Sequence, residues 1–166
     1  MIQLLTRLVM YFNAAFLVWG KRNVERVFPP ELYLTLPSYG RIYAGPWRKR
    51  PRNYVGICLA REMVTVDNVP DYLVDWPDFG LPRGPRSDLD DVINMTLMHL
   101  RRGDNVYVGC AGGSGRTGTF LALLTKISGV THDPVGYVRR HYKKTAVETA
   151  EQMRYVDEME VRRYFT

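Results

Sequence analysis

Only two of the 166 residues are cysteines, and one of them, Cys110, opens a glycine-rich run closed six residues later by Arg116: VGCAGGSGRTGTF, residues 108–120. Glycines between a strand and a helix let successive backbone N–H groups turn toward one point. The helix N-terminus adds partial positive charge, so the run reads as a nest for an anion of the phosphate type. A nucleotide-binding P-loop would need Gly-Lys-Ser/Thr after its glycines, and a dinucleotide fold its own glycine spacing; neither is present. Instead there is a thiol at the first position, where amide donors and a helix end favour the nucleophilic thiolate. The guanidinium of Arg116 adds planar, bidentate donors for two phosphoryl oxygens.

The surrounding pattern predicts how such a loop would be held. Short β-rich runs occur at ELYLTLP, RIYAG, YVGICLA, EMVTV and DYLVD, separated by Gly, Pro, Asn and Asp. Ser87 to Arg102 reads as a helix with Ser87 as N-cap, acidic residues in its first turn, and an inward stripe of Leu89, Val92, Ile93, Thr96 and Leu100. NVYV, residues 105–108, suits a fully buried strand that ends at Cys110, and an apolar helix follows the glycines up to Gly129. Two more helices are expected, one with Asp133 as N-cap and Pro134 at its first position, the other with a capping box of Thr149 and Gln152. The expected fold is α/β: a central mixed, largely parallel sheet flanked by helices, in a domain spanning residues 31–166.

The first twenty residues form an amphipathic helical pattern, with Leu4, Leu5, Leu8, Val9, Phe12, Ala15, Phe16 and Trp19 on one face. Asn13 interrupts the apolar run, which is shorter than the ~20 residues that cross a bilayer. Packing on the chain's own domain is the expectation, and peripheral membrane contact through residues 1–20 the alternative. KRNVERVFPP, residues 21–30, reads as a linker.

Cys110 followed after five residues by Arg116 and Thr117 resembles the Cys-x5-Arg-Ser/Thr signature of the cysteine-dependent protein tyrosine and dual-specificity phosphatases. WPDFGLP, residues 76–82, looks like the mobile loop that supplies the general acid in that superfamily, and ETAEQMRY, residues 148–155, like the loop that positions the hydrolytic water. The three motifs stand in the superfamily's order, and the resemblance spans residues 41–164, at the size of its compact members, bacteriophage-encoded ones among them. It implies a tyrosine-phosphatase-like fold and hydrolysis of phosphate monoesters through a cysteinyl-phosphate, with no metal and no cofactor. Cys110 would be the nucleophile, Asp78 the general acid and then base, and Arg116 the phosphoryl clamp. The amides of Ala111, Gly112, Gly113, Ser114, Gly115 and Arg116 would bind phosphate. Thr117 would stabilise the leaving thiolate, and Gln152, with Glu148, would hold the water. Two residues depart from the pattern. Gly109 stands where a histidine usually braces the loop, so loop rigidity and thiolate stabilisation are in question, and Glu148 stands where glutamine is usual.

Other readings compete for these residues. Cys110 could be a small buried hydrophobe, Gln152 simply a capping residue, and Asp71 and Asp75 lie near Asp78, although only Asp78 follows Trp-Pro. Cys58, inside YVGICLA, reads as core rather than as a redox partner. The basic run WRKRPR, residues 47–52, reads as a solvated surface, or as a basic mouth of the site. Two cysteines do not make a disulfide framework, which points to a reducing, cytoplasmic compartment. The net charge of +6 favours anionic partners. The expected substrate is a phosphorylated protein or peptide, with phosphoinositides and RNA 5′-phosphate ends as alternatives, and a phosphate-binding module without turnover as the non-enzymatic one.

Overall fold

A computed structural model describes residues 32–164; the amphipathic pattern of residues 1–20 and the linker at 21–30 lie outside the described residues. Five strands, β1 (Tyr33–Leu36), β2 (Gly40–Pro46), β3 (Val55–Cys58), β4 (Tyr72–Leu73) and β5 (Val106–Cys110), form one sheet in the order β1-β2-β5-β3-β4. Only β1 and β2 are antiparallel; β2–β5, β5–β3 and β3–β4 are parallel, which is the mixed, largely parallel sheet expected. β5 lies between β2 and β3, and all five of its residues are buried. A strand covered on both faces carries no alternation, which is why VYV reads as a continuous apolar run.

Among the described residues, four helices flank the sheet: α1 (Arg86–Arg101), α2 (Gly115–Ile127), α3 (Pro134–His141) and α4 (Ala150–Glu158). α1 buries the expected stripe, with Leu97 added to it. It starts earlier than the sequence suggests: its N-cap is Pro85, and Ser87 makes no cap hydrogen bond. The reason is Arg86, whose Nε reaches Asp90 Oδ1 at 2.9 Å in an i,i+4 pair available only with Arg86 inside the helix. α2, which continues directly from the glycine run, is buried along almost its whole length, packing against β5, α3 and α4. Asp133 caps α3 through Gly136 N, and Thr149 and Gln152 form the expected capping box on α4.

EMVTV is not a strand. Arg61–Met63 is a 3-10 turn, followed by an isolated bridge between Thr65 and Asn68. The free edge of β3 is taken instead by β4, so the alternating residues have no strand to pair with, and Val66 is 92% exposed. What holds this excursion is Arg50, which donates to Tyr54 O, Asn68 Oδ1, Val69 O and Asp71 Oδ2. Trp47 is fully buried, and its indole donates to Asn68 O. The run WRKRPR is therefore not a solvated surface throughout: Arg48, Lys49 and Arg52 are exposed, while Trp47 and Arg50 fasten the fold.

Candidate active site

β5 delivers Cys110 to the C-terminal edge of the parallel strands, where α/β folds place their sites. The thiol is 3% exposed, and its Sγ accepts a hydrogen bond from Gly113 N at 3.3 Å. Gly113 has φ +67 and lies against β2, where a Cβ would come 2.5 Å from the Gly45 carbonyl carbon; only glycine makes this turn. Gly109 faces the same wall. A Cβ there would stand 2.8 Å from Gly45 O and 3.0 Å from Trp47 Cα, so the close approach of β2 leaves no room for a histidine. Two carbonyls of the loop find donors farther along the chain: the Tyr142 hydroxyl donates to Gly113 O at 2.6 Å, and Lys143 Nζ to Gly112 O at 3.2 Å.

Arg116, in the first turn of α2, is 1% exposed. Its Nη1 donates to Glu62 Oε1 at 2.7 Å and to Trp76 O at 2.9 Å, and its Nη2 lies 3.1 Å from Asp78 Oδ1. Burial alone would lower its pKa, but the Glu62 hydrogen bond and the neighbouring Cys110, Glu62 and Asp78 raise it, so it is a cation throughout. Among the described residues, its Nε and Nη2 are buried without a hydrogen-bond partner; the Asp78 contact is an ion pair in distance only. An unsatisfied guanidinium edge is costly in a protein interior and suits a ligand with paired oxygens. Glu62 escaped the sequence reading because EMVTV was read as a strand. The available signal was an acidic residue just past the C-terminal end of a buried parallel strand.

Asp71, Asp75 and Asp78 separate clearly. Asp71 accepts from Gly56 N and pairs with Arg50, the Asp75 backbone carbonyl accepts from Arg83 N, and Asp78 is the one beside Arg116. The loop carrying Asp78 is pinned by Trp76, which is buried and whose indole donates to Gly80 O at 2.7 Å. Phe79, next to the carboxylate, has φ +58 and is 60% exposed. A non-glycine residue in that region is strained backbone, a feature that concentrates at functional loops.

Gln152 is fully buried. Its Oε1 accepts from Glu148 N and Thr149 N, which is its capping role, while its Nε2 reaches Gly80 O at 3.4 Å and so touches the Asp78 loop. A Cβ on Gly115 would run into the Glu148 carboxylate and stand 3.3 Å from Gln152 Nε2, so both side chains border the start of α2. Thr117 is fully buried, and its Oγ1 has no hydrogen-bond partner among the described residues. Cys58 is core: its thiol donates to Ala60 O, and burial pushes its pKa up to about 11.

A family model described as a Swiss Army Knife protein, DSP-PTPase phosphatase domain, matches residues 85–165. An uncharacterized protein of Methanocaldococcus jannaschii is 40% identical over 90 residues, covering 54% of this chain and 59% of that one. The rat tyrosine-protein phosphatase non-receptor type 2 is 30% identical over 88 residues, covering 48% of this chain and 21% of the relative. The chain thus spans less than two thirds of the curated relatives it matches. Among solved structures, the active form of Tk-PTP matches with TM-score 0.55 and 27% identity, over 67% of this chain and 81% of that one. Kinase associated phosphatase matches with TM-score 0.61 at 15% identity, over 79% of this chain and 94% of that one, a likeness of fold. Residues 85–165 are thus similar to dual-specificity and tyrosine phosphatase domains, and the fold resembles those of Tk-PTP and kinase associated phosphatase. No helix of the described residues is long and apolar enough to cross a membrane.

Proposed function

We propose that the protein hydrolyses phosphate monoesters, with phosphotyrosine in proteins as the preferred substrate. The observation that carries this is the Nε–Nη2 edge of Arg116, buried without a hydrogen-bond partner among the described residues, in the loop whose Gly113 amide donates to Cys110 Sγ. A phosphoryl group in the loop takes two oxygens to that edge, displacing Asp78 from Nη2 and freeing its carboxyl to face the leaving oxygen. The Cys110 thiolate attacks phosphorus, the P–O bond breaks, and Asp78 delivers its proton to the leaving oxygen. Water then attacks the phosphocysteine, giving its proton to Asp78; the S–P bond breaks, the Thr117 hydroxyl donates a hydrogen bond to the leaving thiolate, and phosphate departs. Gln152 and Glu148, at the start of α2, hold the water. Arg116 and the amides of residues 111–116 stabilise the transferring group, for which electrostatics and positioning supply most of the acceleration.

The preference for phosphotyrosine is supported by the 30% identity to a tyrosine-protein phosphatase, and the net charge of +6 suits anionic substrates generally. A cytoplasmic setting goes with this reading, on the scarcity of cysteine. The test is release of para-nitrophenol from para-nitrophenyl phosphate, abolished in Cys110→Ser and lowered ~10²- to 10⁴-fold in Asp78→Asn. Phosphotyrosyl peptide, phosphoinositide and 5′-phosphorylated RNA are then compared by kcat/KM, with the peptide expected to lead. Wild-type protein that binds phosphopeptide but releases no phosphate would make it a binding module.

A further inference from the structure

An anion nest works only if its peptide planes are held with their N–H groups inward, which turns their carbonyls outward. In a trans peptide the two point opposite ways, so fixing the carbonyl fixes the amide. Those outward carbonyls also need donors of their own. Two consecutive planes of the loop find them in two consecutive residues after α3. The plane joining Gly112 to Gly113 has its carbonyl on Lys143 Nζ at 3.2 Å and its N–H on Cys110 Sγ at 3.3 Å. The plane joining Gly113 to Ser114 has its carbonyl on the Tyr142 hydroxyl at 2.6 Å. Glycines give this stretch no stiffness of their own, and position 109 has no space for a bracing side chain.

We propose that Tyr142 and Lys143 are positioning residues that clamp the phosphate loop from behind, holding the Gly113 and Ser114 amides toward the thiol and the phosphoryl oxygens. The clamp thereby sets the stability of the Cys110 thiolate. A carbonyl that accepts a hydrogen bond polarises its own peptide, so the Gly113 N–H is a stronger donor to sulfur when Lys143 is in place. Tyr142 is buried and its phenol is pushed up by that burial and by Tyr107 and Cys110, so it remains a donor. The other titratable or charged groups around Cys110 are Arg116 with its partners Glu62 and Asp78, Cys58 on β3, Tyr107, and Glu148 beside Gly115. Among the described residues, the hydrogen bonds to the two clamped carbonyls come from Tyr142 and Lys143 and not from these groups.

The turnover arm of the test rests on the proposed phosphatase reading; the thiol arm does not. In the full chain, the rate of Cys110 carboxymethylation by iodoacetate is followed against pH by mass spectrometry, with Cys110→Ser as blank. Tyr142→Phe is expected to raise the midpoint by about half to one pH unit, the worth of one hydrogen bond to the ionised form. Lys143→Met, at a less buried site and independent of any folding defect in Tyr142→Phe, is expected to raise it in the same direction. Both are expected to lower kcat for para-nitrophenyl phosphate about tenfold with a smaller change in KM. Tyr137→Phe is the control, since it removes a hydroxyl bond from α3 to Thr35 O, away from the loop. Midpoints equal to wild type in both clamp variants, with only a lower Tm, would overturn the proposal, as would an equal shift in Tyr137→Phe. If wild type turns over no substrate but the midpoints shift, the clamp stands and the phosphatase reading falls.

Discussion

Arg116 is fixed by carboxylates that pull in different directions of chemistry. Asp78 shares the nitrogen that a phosphoryl group would use, whereas Glu62 holds Nη1, on the other side of the guanidinium. Burial is the largest single influence and raises the Glu62 pKa, but the Arg116 hydrogen bond, a backbone hydrogen bond and the Arg116 charge together outweigh it, and the net shift is downward from 4.5. A carboxyl with a depressed folded-state pKa contributes stability above its ordinary pKa, and loses it as pH falls through the folded-state value. Glu62→Gln is therefore expected to lower Tm at pH 7, with the gap to wild type closing as melting is repeated below about pH 4.5. A gap that stayed constant down to pH 3 would mean that Glu62 acts through packing. Because Glu62 is more than half exposed, the loss at pH 7 should be modest and its larger effect on turnover, through a less firmly aimed Arg116.

At the scale of elements, the contact of β2 with β5 decides what the phosphate loop can be. Their parallel register sets Gly45 beside Gly109 and Pro46 beside Cys110, and the β2 backbone then passes under Gly113. Placing a side chain at position 109 should damage this protein. Gly109→Ala is expected to cost about 1–3 kcal/mol, the usual range for overpacking a filled site, and Gly109→His more, with activity falling in both. Chemical denaturation and para-nitrophenyl phosphate turnover measure the two effects. Unchanged stability in Gly109→Ala would show that β2 yields at this point, and would return the missing histidine to the status of a lost brace. The α3–α4 connection has an equally local logic: Arg139 donates to Ala146 O and Val147 O, holding Val147 at φ +59 so that Glu148 and Gln152 meet the start of α2.

For the whole molecule, the excess of positive charge has an address. Pro46 is paired with Cys110, and the 3-10 turn Trp47–Lys49 follows at once, so exposed Arg48 and Lys49 leave the sheet at the end that carries the loop. With a Debye length of about 10 Å at 0.1 M salt, such charges act on an approaching dianion at low ionic strength and fade as salt is added. The kcat/KM for a phosphopeptide is expected to fall between about 0.02 and 0.5 M sodium chloride, with a shallower slope in the Arg48→Ala, Lys49→Ala double variant. A flat response in wild type would leave these residues as ordinary surface.

Much of this was legible in the chain itself. The buried strand, glycine loop and helix around Cys110, and the caps Asp133 and Thr149 with Gln152, follow from spacing and residue type, because they rest on hydrogen bonds and periodicities between near neighbours in sequence. Most of what went astray depended on partners farther along the chain, as with EMVTV, which alternates like a strand although β4 pairs with the edge of β3. Ser87 is the local exception: it looked like a cap, but Arg86 gains its i,i+4 ion pair with Asp90 inside the helix. Arg50 is a fastener and Glu62 an arginine partner because folding brings residues 50 and 71, and 62 and 116, side by side. The sequence determined that a thiol, glycines and an arginine share one loop between a buried strand and a helix, because these elements are contiguous in the chain. Only the tertiary structure decided which donors reach the carbonyls of that loop. Whether position 109 can hold a side chain, and whether Tyr142 and Lys143 reach the loop carbonyls, are questions of distance across the fold, and spacing along a chain does not contain them.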